Sequence, residues 1–253
     1  MSIVASIART TVVEAVRNRL LWLTVAVVVL AFGLGQFLAQ VAIAETVEIQ
    51  TALLAAPLRV AAVFIVAVFV ITSMVREAND KVTELLLSLP APRSIYFFGK
   101  FAGYAAVALI VALLCALPLA LLAKPSGLAL WTASLVCELL IVTAMSLFCV
   151  LTFVQVVPAF VAVAGFYLLS RSMTAMQIIA AAPLHEPTLA DRIVKAVVES
   201  IAFLLPALDG MTQTTWLLGG AALNVAAAVF GQTAIYLVLL CSAALFDLHR
   251  RNF

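Results

Sequence analysis

The sequence predicts an all-α membrane protein: six transmembrane helices, an N-terminal interfacial helix, a short amphipathic helix in a cytoplasmic loop, and an outer segment that is re-entrant or interfacial. Three observations predict it. Of 253 residues, 66% are hydrophobic and 10% charged, and mean hydropathy is +1.24. An ordinary soluble domain is about 45–50% apolar and about 25% charged, so these side chains cannot coat a water-facing surface. Six apolar runs answer to the about 20 residues that cross about 30 Å of hydrocarbon, and Lys and Arg are unevenly shared between the connections. A soluble enzyme, a disordered chain and a nucleic-acid binder are all disfavoured. The net charge of +2 exerts no general pull on polyanions.

Residues 1–19 come first. On a helix, Ile3, Val4, Ile7, Thr11 and Ala15 share one face, with Ser2, Ser6, Arg9 and Arg17 opposite. Such a helix lies in the membrane interface with its arginines near lipid phosphates; a plain extension of the first span is the alternative. That span, 20–41, is too long for the about 7–15 apolar residues of a signal-peptide core, so it is expected to be retained, although Ala42-Ile43-Ala44 resembles a cleavage site. A short connection with Glu45 and Glu48 leads to span 53–75, where Arg59 sits near one end. A lone arginine there is expected to snorkel outward.

Residues 76–97 form a loop with a signal of its own. Asn79 and Asp80 are suited to capping a helix start. Val82, Leu85, Leu86 and Leu89 then recur at helical spacing, and Pro90 and Pro92 stop the run. Interfacial filler and docking element both remain open on composition alone. Span three is 98–123, Lys124-Pro125-Ser126-Gly127 is a tight turn, and spans four and five are 128–153 and 156–170, divided near Gln155 and Pro158.

Glu138 is the one acidic residue near the middle of a span. A charge at that depth costs about 2.5–3.5 kcal/mol on insertion scales, so it must find protein or water. It is the pathway candidate, a proton relay being one such role. The alternative is an interhelical hydrogen bond to Gln155, Gln36 or Asn224.

Residues 171–220 are the longest connection, and 221–246 is the sixth span. Ile193, Val197, Ile201, Leu204 and Leu208 form a stripe opposite Arg192, Lys195 and Glu199. The segment either lies on the surface or dips in and returns at Pro206 and Gly210. Buried irregular backbone survives at membrane depth only against protein or water, so Leu204, Pro206 and Gly210 are the outer-gate candidates.

Six spans put nine cations (Arg9, Arg17, Arg19, Arg76, Lys81, Arg93, Lys100, Arg250, Arg251) on one side. Five (Arg59, Lys124, Arg171, Arg192, Lys195) fall toward the other. The positive-inside rule then places both termini in the cytoplasm of a cell (inner) membrane protein. The whole chain, 1–253, reads as a single transmembrane domain, with no room for a folded domain between spans.

Chemistry-bearing motifs are absent. His185 and His249 have no triad or metal-site neighbours, and no phosphate-binding G-x-x-x-x-G-K-[ST] occurs. Cys115, Cys137, Cys149 and Cys241 lie in apolar runs and read as small buried hydrophobes. No catalytic residue and no metal ligand set is expected.

The loop segment Val82-Thr83-Glu84-Leu85-Leu86-Leu87-Ser88-Leu89-Pro90-Ala91-Pro92-Arg93, followed by Gly99-Lys100, resembles the cytoplasmic loop of ABC-2 type transporter permeases. Residues 7–19 look like that family's leading interfacial helix, Leu204-Leu205-Pro206 fits before its last span, and 246–253 looks like its basic tail. The resemblance implies a permease subunit that is not itself an enzyme. It would pair with a second copy or a paralogue, and each subunit would dock on a separate cytoplasmic ATPase that holds ATP and Mg. The coupling helix would be 79–89, with Asn79, Val82, Glu84, Leu85, Leu86 and Leu89 touching the ATPase, and Arg93 and Lys100 on lipid headgroups. Membrane lipids are the remaining expected partner, and nucleic acid is not one. A secondary carrier or membrane scaffold without an ATPase, centred on Glu138, is the competing class.

Overall fold

The structure, a computed structural model, describes residues 3–41, 46–80, 92–181, 189–219 and 223–250; side chains are described for these except 38–41, 46–49, 181, 189–192, 219, 223 and 224. Every regular element among them is helical. The elements are α1 (Ile3–Arg17), α2 (Leu20–Val41), α3 (Thr46–Asn79), α4 (Arg93–Leu119), α5 (Pro125–Phe153), α6 (Val156–Ala181), α7 (Leu189–Leu204), a 3-10 turn (Leu208–Gly210), α8 (Thr215–Gly219) and α9 (Leu223–Arg250). Six of them, α2 to α6 and α9, are long and apolar enough to cross a membrane.

The expected span boundaries shift in ways the side chains explain. The fifth helix does not stop at 170. It runs on to Ala181, because Arg171 spends its charge inside the protein instead of ending the span. The second helix starts at Thr46 and ends at Asn79, so Asn79 closes that helix and does not open a new one. Val82, Glu84, Leu85, Leu86 and Leu89 lie outside the described residues. Between α5 and α6 the chain reverses at Val154 and Gln155, while Pro158 sits inside the first turn of α6, where its missing N–H costs nothing.

Helices α3, α4 and α5 form the inner layer and are mostly buried, whereas α2, α6 and α9 show most of their surface. Their outward side chains are large and apolar, among them Trp22, Leu30, Val157, Ile235 and Phe246. In water such a surface would be an aggregation liability; against hydrocarbon it is the expected face. The core between the inner helices is assembled from Leu54, Leu58, Val66, Tyr104, Val111, Trp131, Leu135 and Leu139, all fully or almost fully buried.

Helix α1 packs on α4 through two small positions one turn apart. A Cβ on Gly103 would stand 2.6 Å from Cβ of Thr11, and one on Gly99 would stand 3.0 Å from Cβ of Ile7. This G-x-x-x-G spacing lets the helices approach closely. It buries Thr11 and Ala15, as the sequence stripe requires, while Ile3 at its start stays exposed.

The start of α1, the last turns of α3 and α9 and the first turns of α4 lie at one end of the bundle, here the termini end. Charged side chains tie it together. Glu14 of α1 accepts from Arg76 and, at 2.8 Å, from Ser73 of α3, and Ser73 accepts from the Tyr104 hydroxyl of α4 at 3.0 Å. Lys100 of α4 is buried and pairs with Glu77 of α3, which also accepts from the Tyr96 hydroxyl. Arg93 donates to the carbonyls of Leu248 and His249 at 3.1 and 3.3 Å, closing the C-terminal turn of α9. Arg93 and Lys100 were expected on headgroups. Both are instead cross-ties between helices, because unpaired carbonyls and a carboxylate stand within their reach.

Candidate functional site

At the opposite end, the far end, the chain between α7 and α8 turns back into the bundle and meets Glu138. By helix rise, Glu138 stands roughly 20 Å along α5 from its first residue. Its side chain is 0% exposed. The local sequence makes the turn possible: α7 stops at Leu204, Pro206 is buried, and the 3-10 turn Leu208–Gly210 reverses the chain with Leu208 and Met211 packed in the core.

Thr212 is the point of contact, and all its polar groups are used. Its N–H donates to Oγ of Ser134 at 2.9 Å, its hydroxyl donates to Oε2 of Glu138, and its carbonyl accepts from Nη1 of Arg59 at 2.9 Å. Ser134 and Glu138 are four apart on α5 and therefore share a face. Thr212 also holds φ 49. A β-branched residue in that left-handed region costs of order 1–3 kcal/mol and persists only when its surroundings over-determine it. The three hydrogen bonds supply that determination.

Arg171 of α6 closes the other side. Its Nη1 donates to the carbonyls of Leu208 and Met211, the latter at 3.1 Å, and lies 3.7 Å from Oε1 of Glu138. Tyr167, one turn earlier on α6, is buried and faces the same carboxylate, with its ring edge-on to Phe64 of α3 at 6.0 Å. The Arg171–Glu138 pair is what a dry site demands, since an isolated buried charge costs several kcal/mol.

The outcome for each expected residue is mixed. Glu138 is buried at a charged cluster, but its partners are Thr212 and Arg171; Gln36 and Gln155 are exposed, and the Asn224 side chain lies outside the described set. Arg59 does not snorkel outward. It is 9% exposed and bound to Thr212, because the turn offers a carbonyl that water would otherwise have to supply. Of the gate candidates, Pro206 is buried at the turn, whereas Leu204 is 71% exposed and Gly210 is also exposed. Leu204 and Gly210 thus flank the latch without forming it. Thr212, Ser134 and Tyr167 had no sequence signal beyond being polar in an apolar setting.

The turn is seated a second time above the latch. Gly127, at the start of α5, lies so close to the Trp216 carbonyl that no Cβ fits, and the N–H of Lys124 donates to the Leu217 carbonyl at 3.3 Å. Chemically the arrangement is a fastener: it holds a loop between α3, α5 and α6 through charge. Among the described residues no group of three or more His, Cys, Asp or Glu is placed to hold a metal ion.

Comparison with known protein families finds none that matches this chain, and none of the curated proteins matches it either.

Proposed function

We propose that the chain is the permease subunit of an ATP-driven ABC-2 type exporter, working as a dimer of like or paralogous subunits with cytoplasmic termini. The ATPase is a separate chain, which holds ATP and Mg. The observation that carries the reading is the root of the connection after α3. Its sequence resembles the coupling loop of such permeases, and both of its ends are tied into the bundle: Arg76 to α1, Glu77 to Lys100 of α4, and Arg93 to the last turn of α9. A push on that loop reaches four helices at once.

Helix α3 then links the loop to the far end. Arg76 and Glu77 stand at one end of it, and Arg59 stands on the same helix roughly 25 Å away, gripping Thr212. Movement of α3 draws Arg59 from the Thr212 carbonyl and loosens the turn from Glu138. Loop 205–214 is in this reading the outer gate, and Glu138 with Arg171 is its latch. Docked and undocked ATPase must make different contacts with the loop, since a ligand shifts an equilibrium only by its differential affinity.

The carrier reading needs Glu138 to exchange a proton or ion during transport. Its carboxylate is instead committed to Thr212 and Arg171, which favours the latch.

The test is purification of the tagged chain in mild detergent with whatever accompanies it. A stoichiometric ATPase whose association and hydrolysis fall at least tenfold in Glu84→Lys and Leu86→Lys is expected. A chain that purifies alone, with transport abolished by Glu138→Gln and untouched by either loop change, overturns the proposal in favour of the carrier.

A further inference from the structure

Two cavities meet at the bend between α1 and α2. The first holds about 620 Å³ and is polar, lined by Ser6, Arg9, Thr10, Arg17 and Arg76 among others. The second holds about 490 Å³ and is apolar, lined chiefly by Leu20, Leu23, Phe64, Ile65, Val68 and Phe69. Asn18 belongs to both walls. The bend exists because Arg19 takes φ 57, which breaks the helix and swings α2 away from the line of α1.

The floor is continuous. Val68, Thr72 and Arg76 follow one another at four-residue spacing along α3, so one stripe of that helix passes from apolar groove to cationic cavity. The charge is also unspent. Glu14, the carboxylate in the wall, is engaged by Arg76 and Ser73, while Arg9 and Arg17 have no carboxylate within ion-pair distance among the described residues. Two exposed guanidiniums over a polar hollow, opening onto a groove of Leu, Ile, Val and Phe, describe the complement of an anionic amphiphile. A free phosphate would fill only the first cavity and an uncharged tail only the second.

We propose that this bend binds one anionic phospholipid from the leaflet on the termini side, its phosphate on Arg9 and Arg17 and one acyl chain along α3 between Phe64 and Thr72. Arginine suits the headgroup because its planar fork matches phosphate oxygens two at a time. The site would fix the angle between α1 and the first span, and with it the position of Glu14 on Ser73 and Arg76. The inference does not depend on what the protein transports.

Native mass spectrometry of the full delipidated chain in detergent tests it, with dioleoyl phosphatidylglycerol, dioleoyl phosphatidylcholine and inorganic phosphate as separate probes. One phosphatidylglycerol per chain is expected, held about 30-fold more tightly than phosphatidylcholine, as two near-surface arginines imply. Arg9→Gln/Arg17→Gln should cut that preference below about threefold, following the same per-arginine increment. Val68→Trp, at a half-exposed position, should block the chain groove and lose the adduct with both arginines intact. Monodispersity and melting temperature of each variant check its fold. Equal retention of the two lipids, displacement of phosphatidylglycerol by millimolar phosphate, or an adduct that survives both variants would each overturn the proposal.

Discussion

The two ends of the bundle are both cross-tied by charge, yet the ties differ in kind. At the termini end they are several and partly wet: the Arg76 side chain in the pair with Glu14 is 52% exposed. Such pairs contribute about 0–1 kcal/mol each, and the loss of one leaves others in place. At the far end there is one assembly, centred on a carboxylate with no exposure at all. Water cannot rescue it when a partner is removed. Redundant ties make a rigid frame; a single dry latch makes something that is either shut or open.

The comparison breaks most plainly at Glu138. Glu138→Ala takes from Arg171 its ion-pair partner and from Thr212 its hydroxyl acceptor, and removal of one partner from a buried pair costs about 3–5 kcal/mol. A large drop in melting temperature in detergent is expected, together with new labelling of a cysteine placed at Met211, which is fully buried in the closed turn. Glu138→Gln should retain the Thr212 hydrogen bond and fall between the variant and the parent. Equal melting temperatures for all three would show that the latch holds nothing.

The pair Lys100–Glu77 sharpens the contrast, since it is the dry exception at the wet end, with side chains 5% and 15% exposed. Glu77→Leu leaves a buried ammonium, at a cost of about 3 kcal/mol. Lys100→Met leaves Glu77 nearer to water and still accepting from Tyr96, so its cost is smaller, about 1–2 kcal/mol. The double variant should lie close to the parent, as apolar replacements of whole buried pairs do. A double variant as unstable as the sum of the singles would show that the charges act independently.

How much of this was legible beforehand depends on the residue. The six apolar helices were read from length and hydropathy, because bilayer thickness fixes both. Glu138 was singled out because a charge at span depth is expensive wherever it points. Its partners were not found, for a physical reason: Arg59 and Thr212 are 153 residues apart in sequence, and the bond between them exists only once the 205–212 turn has folded inward. Arg171 was misread for the same reason, since an arginine at the end of an apolar run looks like a stop until its acceptors are in view. Lys100 and Arg93 were legible as cations but not as ties. A positive charge beside a span suits a headgroup, a carboxylate or a helix C-terminus equally well, and only packing decides.

The smallest effect separates strain that serves a turn from strain that serves the latch. Val154 and Thr212 are both β-branched and both sit at positive φ, 59 and 49. Val154 caps the C-terminus of α5 with a backbone bond alone, from its N–H to the Val150 carbonyl, and its side chain is exposed. Glycine avoids the about 1–2 kcal/mol Cβ clash of that conformation but loses about 0.5–1 kcal/mol more backbone entropy on folding, so Val154→Gly should stabilise the chain by about 0.5–1 kcal/mol net. Thr212→Gly gains the same relief but forfeits the hydroxyl that binds the Glu138 carboxylate, and a hydrogen bond to a charged group is worth about 1.5–3 kcal/mol. The two identical substitutions should therefore move the melting temperature in opposite directions. If both raised it, the Thr212 hydroxyl would be ornamental and the turn would be held by Arg59 and Arg171 alone.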